Sequence, residues 1–119
     1  MEDDNLYVSH ILDAVTDIEK YIGQLTFDQF MVPENKMIRD AVVRNLEIIG
    51  EASKHFSSEF KTKHSMIPWK EVVGMRDNLI HEYFGVVWDV VWSTVKQDLP
   101  VLRSELKKNL KLLIHKLSR

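Results

Sequence analysis

The sequence predicts an all-α protein, an up-down bundle of four or five helices. Three observations carry this. Apolar residues recur at steps of three and four along most of the chain, no segment alternates apolar and polar residues as a half-buried strand does, and no turn-rich hairpin signal appears. At 119 residues the chain is expected to form one domain, 1–119, long enough for a core without staples.

Segment 5–26 is the first expected helix. Ile11, Val15, Ile18, Ile22 and Leu25 form a narrow apolar stripe, with Asp13, Asp17, Glu19 and Lys20 on the other sides. Residues 26–34 break that pattern, punctuated by Pro33. Segment 34–56 is the second helix, lined by Ile38, Val42, Leu46, Ile49, Ala52, Ser53 and Phe56. Gly50 costs about 1 kcal/mol relative to Ala inside a helix, which points to close approach by a neighbour. Residues 57–67 are polar and read as a loop.

Pro68 suits the first turn of a third helix, which runs through Trp69, Val72, Val73, Leu79 and Ile80 towards a stop near Gly85. Residues 86–99 resume as a fourth, with Val87, Val91, Val95, Trp88 and Trp92 as its apolar surface. Pro100 kinks or restarts the chain. A fifth stripe follows in Val101, Leu102, Leu106, Leu110, Leu113 and Leu117.

Composition narrows the function classes. No cysteine is present, which excludes disulfides and thiolate metal sites and fits a cytoplasmic location. No apolar run reaches the roughly 20 residues of a membrane span, and the acidic start Met1-Glu2-Asp3-Asp4 is unlike a secretory or transit signal. The net charge of −2 hides an asymmetry: residues 1–60 balance at −7 and residues 61–119 at +5. A positive field in the second half can attract phosphate, although Lys107, Lys108 and Lys111 also fit a solvated helix face.

In that basic half lies Arg76-Asp77-Asn78-Leu79-Ile80-His81-Glu82-Tyr83. Metal chemistry is not expected there. The five histidines have no close pair spacing, and His81-Glu82-Tyr83-Phe84-Gly85 has Gly85 where a zinc-protease helix needs its second histidine. An Arg with a His is what RNA cleavage without a metal requires. Histidine can take the proton of the ribose 2′-hydroxyl or supply one to the leaving 5′-oxygen. A guanidinium binds the charged phosphorane oxygens bidentately. Asp77, one turn before His81, is placed to orient the ring. At about 100° per residue, Arg76 and Tyr83 fall nearly in line, whereas Arg76 and His81 diverge by roughly 140°. Cooperation therefore needs a distorted helix or a second copy of the chain. One His cannot be base and acid at once, and two copies across a two-fold axis supply both roles. The plainer alternatives are an exposed Arg76, a His81 satisfied by Asp77, and a Tyr83 that caps the core.

Four blocks carry a family resemblance: Asp40-Ala41-Val42-Val43-Arg44-Asn45-Leu46-Glu47-Ile48-Ile49-Gly50-Glu51-Ala52; Ile67-Pro68-Trp69-Lys70-Glu71-Val72-Val73-Gly74-Met75-Arg76; Arg76-x4-His81-x-Tyr83; and Asp98-Leu99-Pro100. In this order they resemble the HepT family of HEPN ribonuclease toxins. The resemblance implies a HEPN-type helical bundle that pairs as a homodimer, with two motif copies meeting in a cleft. It implies a metal-independent endoribonuclease acting on RNA, not DNA, with Arg76 and His81 catalytic and no cofactor. The position after the Arg is often Asn in that family and is Asp77 here, which adds negative charge near the substrate phosphate. The usual partner is MntA, a nucleotidyltransferase antitoxin that uses ATP to place AMP on the motif tyrosine, here Tyr83. The alternative reading is a non-catalytic helical subunit that presents nucleotide or substrate to such a transferase.

Overall fold

A computed structural model of the chain describes residues 2–80 and 85–117, with side chains described for residues 4–75 and 85–109. Among the described residues every regular element is helical, as expected. Four long elements dominate: α1 (Glu2–Ile22), α3 (Lys36–Ser53), α5 (Trp69–Ile80) and α7 (Leu99–Leu117). Short helices α2 (Phe27–Phe30), α4 (Ser58–Lys63) and α6 (Trp88–Ser93) lie between them. Helix α3 packs against both α1 and α5, and α7 closes on α1.

The core follows the stripes. Ile11, Val15, Ile18 and Ile22 of α1 face Val42, Leu46 and Ile49 of α3, joined by Val72, Leu99, Leu102 and Leu106 in one buried cluster. Each such side chain gains about 1.5–3 kcal/mol on leaving water. Val8 and Ala14 extend the α1 stripe beyond the residues expected. Gly50 is buried in α3, the helix that packs against both α1 and α5. Val87 and Val101 depart from expectation, being 48% and 37% exposed. Leu110, Leu113 and Leu117 have side chains outside the described residues.

Two stretches read as irregular contain helices, and each has a cap that explains it. The Thr26 hydroxyl accepts from the Gln29 backbone N–H at 3.2 Å, and the Gln29 side chain accepts from the Thr26 N–H at 2.9 Å. This reciprocal cap starts α2. The Ser57 hydroxyl accepts from the Phe60 N–H at 3.0 Å, starting α4 and burying Phe60. Asp4 is itself buried and accepts from both the N–H and the hydroxyl of Ser57, at 3.1 and 3.0 Å. The first turn of α1 is thereby tied to the cap of α4.

Pro100 does restart the helix, but without breaking the rod. Residues Thr94–Asp98 form a π-helical turn, and the Leu99 N–H donates back to the Thr94 carbonyl, one residue further than in an α-helix. Proline has no N–H to give to the carbonyl four residues back, and its ring would collide with that carbonyl. Widening the preceding turn relieves both problems and lets α6 run on into α7.

Polar links complete the bundle. Arg103 of α7 pairs with Glu19 of α1 and donates to the Thr16 hydroxyl at 3.1 Å. Buried His64 places Nδ1 3.4 Å from Glu105, which also accepts from Lys108 at 2.9 Å. The Lys108 hydrogen bond, and then that of His64, hold the Glu105 carboxyl below the usual carboxylate range.

Candidate functional site

Helix α5 carries the start of the Arg-x4-His stretch, and its first turns are firmly held. The Pro68 carbonyl accepts from the Val72 N–H at 3.0 Å, which sets the helix entry. The Trp69 indole N–H donates to the carbonyls of Lys61 and His64, at 3.2 and 3.1 Å. Its ring meets Phe56 edge-on at 5.4 Å, and Phe56 stacks on Phe60 at 4.3 Å. Val72 is fully buried and Met75 is 5% exposed. The backbone is thus pinned up to the residue immediately before Arg76.

In the helical register Arg76 follows Val72 by one turn and Asp77 follows Val73 by one turn. The side chains of Arg76 and Asp77 lie outside the described residues, as do His81 and Tyr83 altogether. The chain is described again from Gly85, whose φ of +107° is a conformation that residues with a Cβ rarely adopt. Val86 then packs against the core and Val87 immediately precedes α6. Buried Met75 and core-packed Val86 therefore bracket the motif segment.

Beside Met75 a groove of about 330 Å³ runs between α5 and the α6–π segment. Leu46, Met75, Val90 and Val91 give it an apolar lining, and Glu71, Asp89 and Asp98 add three carboxylates. Negative charge of this density repels phosphate, so an RNA backbone is not expected to rest here. Asp98 ends the π-helical turn, and its carboxyl is pushed above the usual range, first by burial and then by the negative charge of Glu71. Asp98 was legible only as part of the Asp98-Leu99-Pro100 block; nothing in the sequence pointed to Glu71 as its neighbour. Among the described residues no group of three or more His, Asp or Glu is arranged to hold a metal ion.

A carboxyl that folding makes harder to ionise destabilises the protein when charged, and the penalty fades as pH falls through its raised value. Asp98→Asn is therefore expected to stabilise the fold at neutral pH, modestly because solvent screens a group this exposed. The gain should vanish in acid, below the ordinary carboxylate range. Urea melts at the two pH values check this, and an Asn variant less stable than the parent at neutral pH would contradict it.

Comparison with known proteins places the chain. A family model described as "Ribonuclease HepT-like" matches residues 11–109. A Thermococcus cleftensis protein named "Probable ribonuclease HepT" is 45% identical over 102 residues, 86% of this chain and 91% of its own length. A Caldanaerobacter subterraneus protein named "Putative RNase" is 42% identical over 102 residues, 86% of this chain and 89% of its own. A Methanocaldococcus jannaschii protein named "Gamma-glutamylcyclotransferase and putative RNase" is 45% identical over 107 residues, but this chain spans only 47% of that protein. No solved structure gives a significant match. No helix among the described residues is long and apolar enough to cross a membrane. The family match and the names of these relatives support a ribonuclease, and the chain belongs to the HepT-like ribonuclease family.

Proposed function

We propose that the protein is a metal-independent endoribonuclease toxin whose Arg76 and His81 cleave RNA in a cleft between two copies of the chain. The observation that carries this is that Arg76-x4-His81-x-Tyr83 lies wholly inside the residues matched by the ribonuclease family model. In the proposed reaction one His81 takes the proton from the ribose 2′-hydroxyl as that oxygen attacks the adjacent phosphorus. The partner copy's imidazole gives a proton to the departing 5′-oxygen, leaving a 2′,3′-cyclic phosphate and a 5′-hydroxyl. The two guanidinium groups hold the non-bridging oxygens as negative charge builds on them. Asp77 orients the imidazole and favours its protonated form.

Regulation follows from Tyr83. A nucleotidyltransferase antitoxin of the MntA kind would move AMP from ATP to the Tyr83 hydroxyl, releasing pyrophosphate. Each added phosphate would compete with substrate for Arg76 and block the cleft. The proposed setting is the cytoplasm, with no cofactor bound to the ribonuclease itself.

Purified protein is expected to cut single-stranded RNA in EDTA, and its expression without the transferase to arrest growth. Co-expression with the transferase should restore growth and add AMP mass to Tyr83. Intact RNA together with normal growth would overturn the proposal and leave the non-catalytic subunit reading in its place.

A further inference from the structure

The groove between α5 and the α6–π segment repels phosphate, and the same features say what it attracts. Its floor is apolar and comes from three elements: Leu46 of α3, Met75 of α5 and Val91 of α6, all buried. At its rim Val90 is 54% exposed, and Val87, three residues earlier on the same side, is 48% exposed. Large apolar side chains left open around a groove are characteristic of a surface that another molecule covers.

The carboxylates say which kind of molecule. Glu71 and Asp89 are exposed and Asp98 is half-buried. None of the three is paired with a cation among the described residues, whose Lys, Arg and His ion pairs all lie elsewhere. Glu71 and Asp98 also crowd each other, as the raised Asp98 carboxyl records. A cation brought to this end relieves that repulsion.

Floor and rim together favour a long basic side chain over a bare ion. The methylene stem of Lys or Arg lies along apolar surface while its charged head reaches out to a carboxylate. Spacing then sets the register. Asp89 and Asp98 are nine residues apart along one continuous rod, which is about 13 Å at a helical rise. Two basic residues about two turns apart on a partner helix span a similar length, with room for an apolar residue between them. A helix laid in a groove in this way is a recurring mode of recognition.

We infer that this groove docks a basic amphipathic helix of a second protein, whose apolar residue seats on Leu46, Met75 and Val91 and whose basic heads reach Asp89 at one end and Glu71 with Asp98 at the other. The inference goes beyond the ribonuclease reading and uses no residue of the Arg-x4-His motif, so either can fail alone.

The probe is a capped, Ala-based helical peptide with Leu along one face and a Lys at each end of that face, two turns apart. The full chain is titrated with it and followed by ¹H–¹⁵N spectra. Glu71, Met75, Val90 and Asp98 should shift together, and added salt should weaken the binding. A peptide with Glu in place of both Lys should leave these signals unmoved.

Glu71→Gln combined with Asp98→Asn should weaken binding several-fold, and so should Val90→Ser. All three positions are at least partly open to solvent, so neither variant opens the core. Absence of groove shifts at millimolar peptide overturns the inference, because recognition here is carried by charge and stem length and not by one sequence. Equal binding of the Glu peptide, or variants that bind like the parent, overturns it as well. Groove signals that move on dilution of the protein alone would assign the surface to a second copy of this chain and overturn the choice of partner.

Discussion

Arg76→Ala and His81→Ala are each expected to slow RNA cleavage by roughly a thousandfold, the scale of losing one positioned proton-transfer group or one donor to developing charge. The two variants fail for different reasons, and that difference can be measured. Without His81 neither the base nor the acid of the paired site remains, so the neutral-pH dependence of the rate should flatten along with the rate itself. Without Arg76 the proton chemistry survives but the phosphorane is unsupported. Arg76→Lys should recover only a small part of the loss, because an ammonium restores charge without the bidentate fork. Melting temperatures should stay near the parent value in all three. Either alanine variant cutting RNA at the parent rate would remove these residues from the mechanism.

Phe30→Ala is expected to cost about 3–5 kcal/mol, the usual range for truncating a buried aromatic ring. Phe30 is fully buried on a helix of only four residues. Its ring meets Trp88 at 5.9 Å and Trp92 at 5.1 Å, so it joins α2 to α6. Its carbonyl, together with that of Val32, accepts from Arg39 at 2.7 Å, and the Arg39 guanidinium lies 5.8 Å over Trp88. Removing the ring opens a cavity beneath this whole corner. Against a total stability of about 5–15 kcal/mol, a loss of that size leaves a marginal fold. Chemical denaturation measures it, with Phe30→Leu as the milder control. A Phe30→Ala loss under about 1 kcal/mol would show that the corner collapses onto the space, contrary to the close packing described here.

The long helices were legible because their signal is periodic. The α1 and α3 stripes repeat over several turns, and the residues they named are buried except Leu25, which lies beyond the end of α1, and Ile38, both of them half-buried. The short helices were not, because four or six residues are too few to show a period. Their evidence was local chemistry instead: Thr26 with Gln29, and Ser57 ahead of a lone apolar Phe60. Val87 and Val101 were misassigned because each is a valine beside true core positions, and hydropathy alone does not say which way a helix end faces. The π-helical turn lay behind a signal that was read, Pro100, but the sequence does not say how a chain will accommodate a proline. At the candidate site the motif could be read from four residues in line. The Asp98–Glu71 neighbourhood could not, since it joins positions 27 apart through the packing of α5 on the α6–π segment. Nor could the stacking of Tyr7 on His55, which brings α1 against the turn that follows α3.

Everything proposed about catalysis depends on the substrate's own hydroxyl being the nucleophile, set in motion by two imidazoles from paired chains. A single-stranded RNA carrying one 2′-O-methyl group at the preferred cleavage site, incubated with the protein in EDTA, tests this most directly. Unmodified RNA should yield fragments ending in 2′,3′-cyclic phosphate and 5′-hydroxyl, and the methylated linkage should stay intact. Scission at the methylated linkage, or fragments bearing 5′-phosphate, would mean that water is the attacking group and that the paired Arg76–His81 mechanism is wrong.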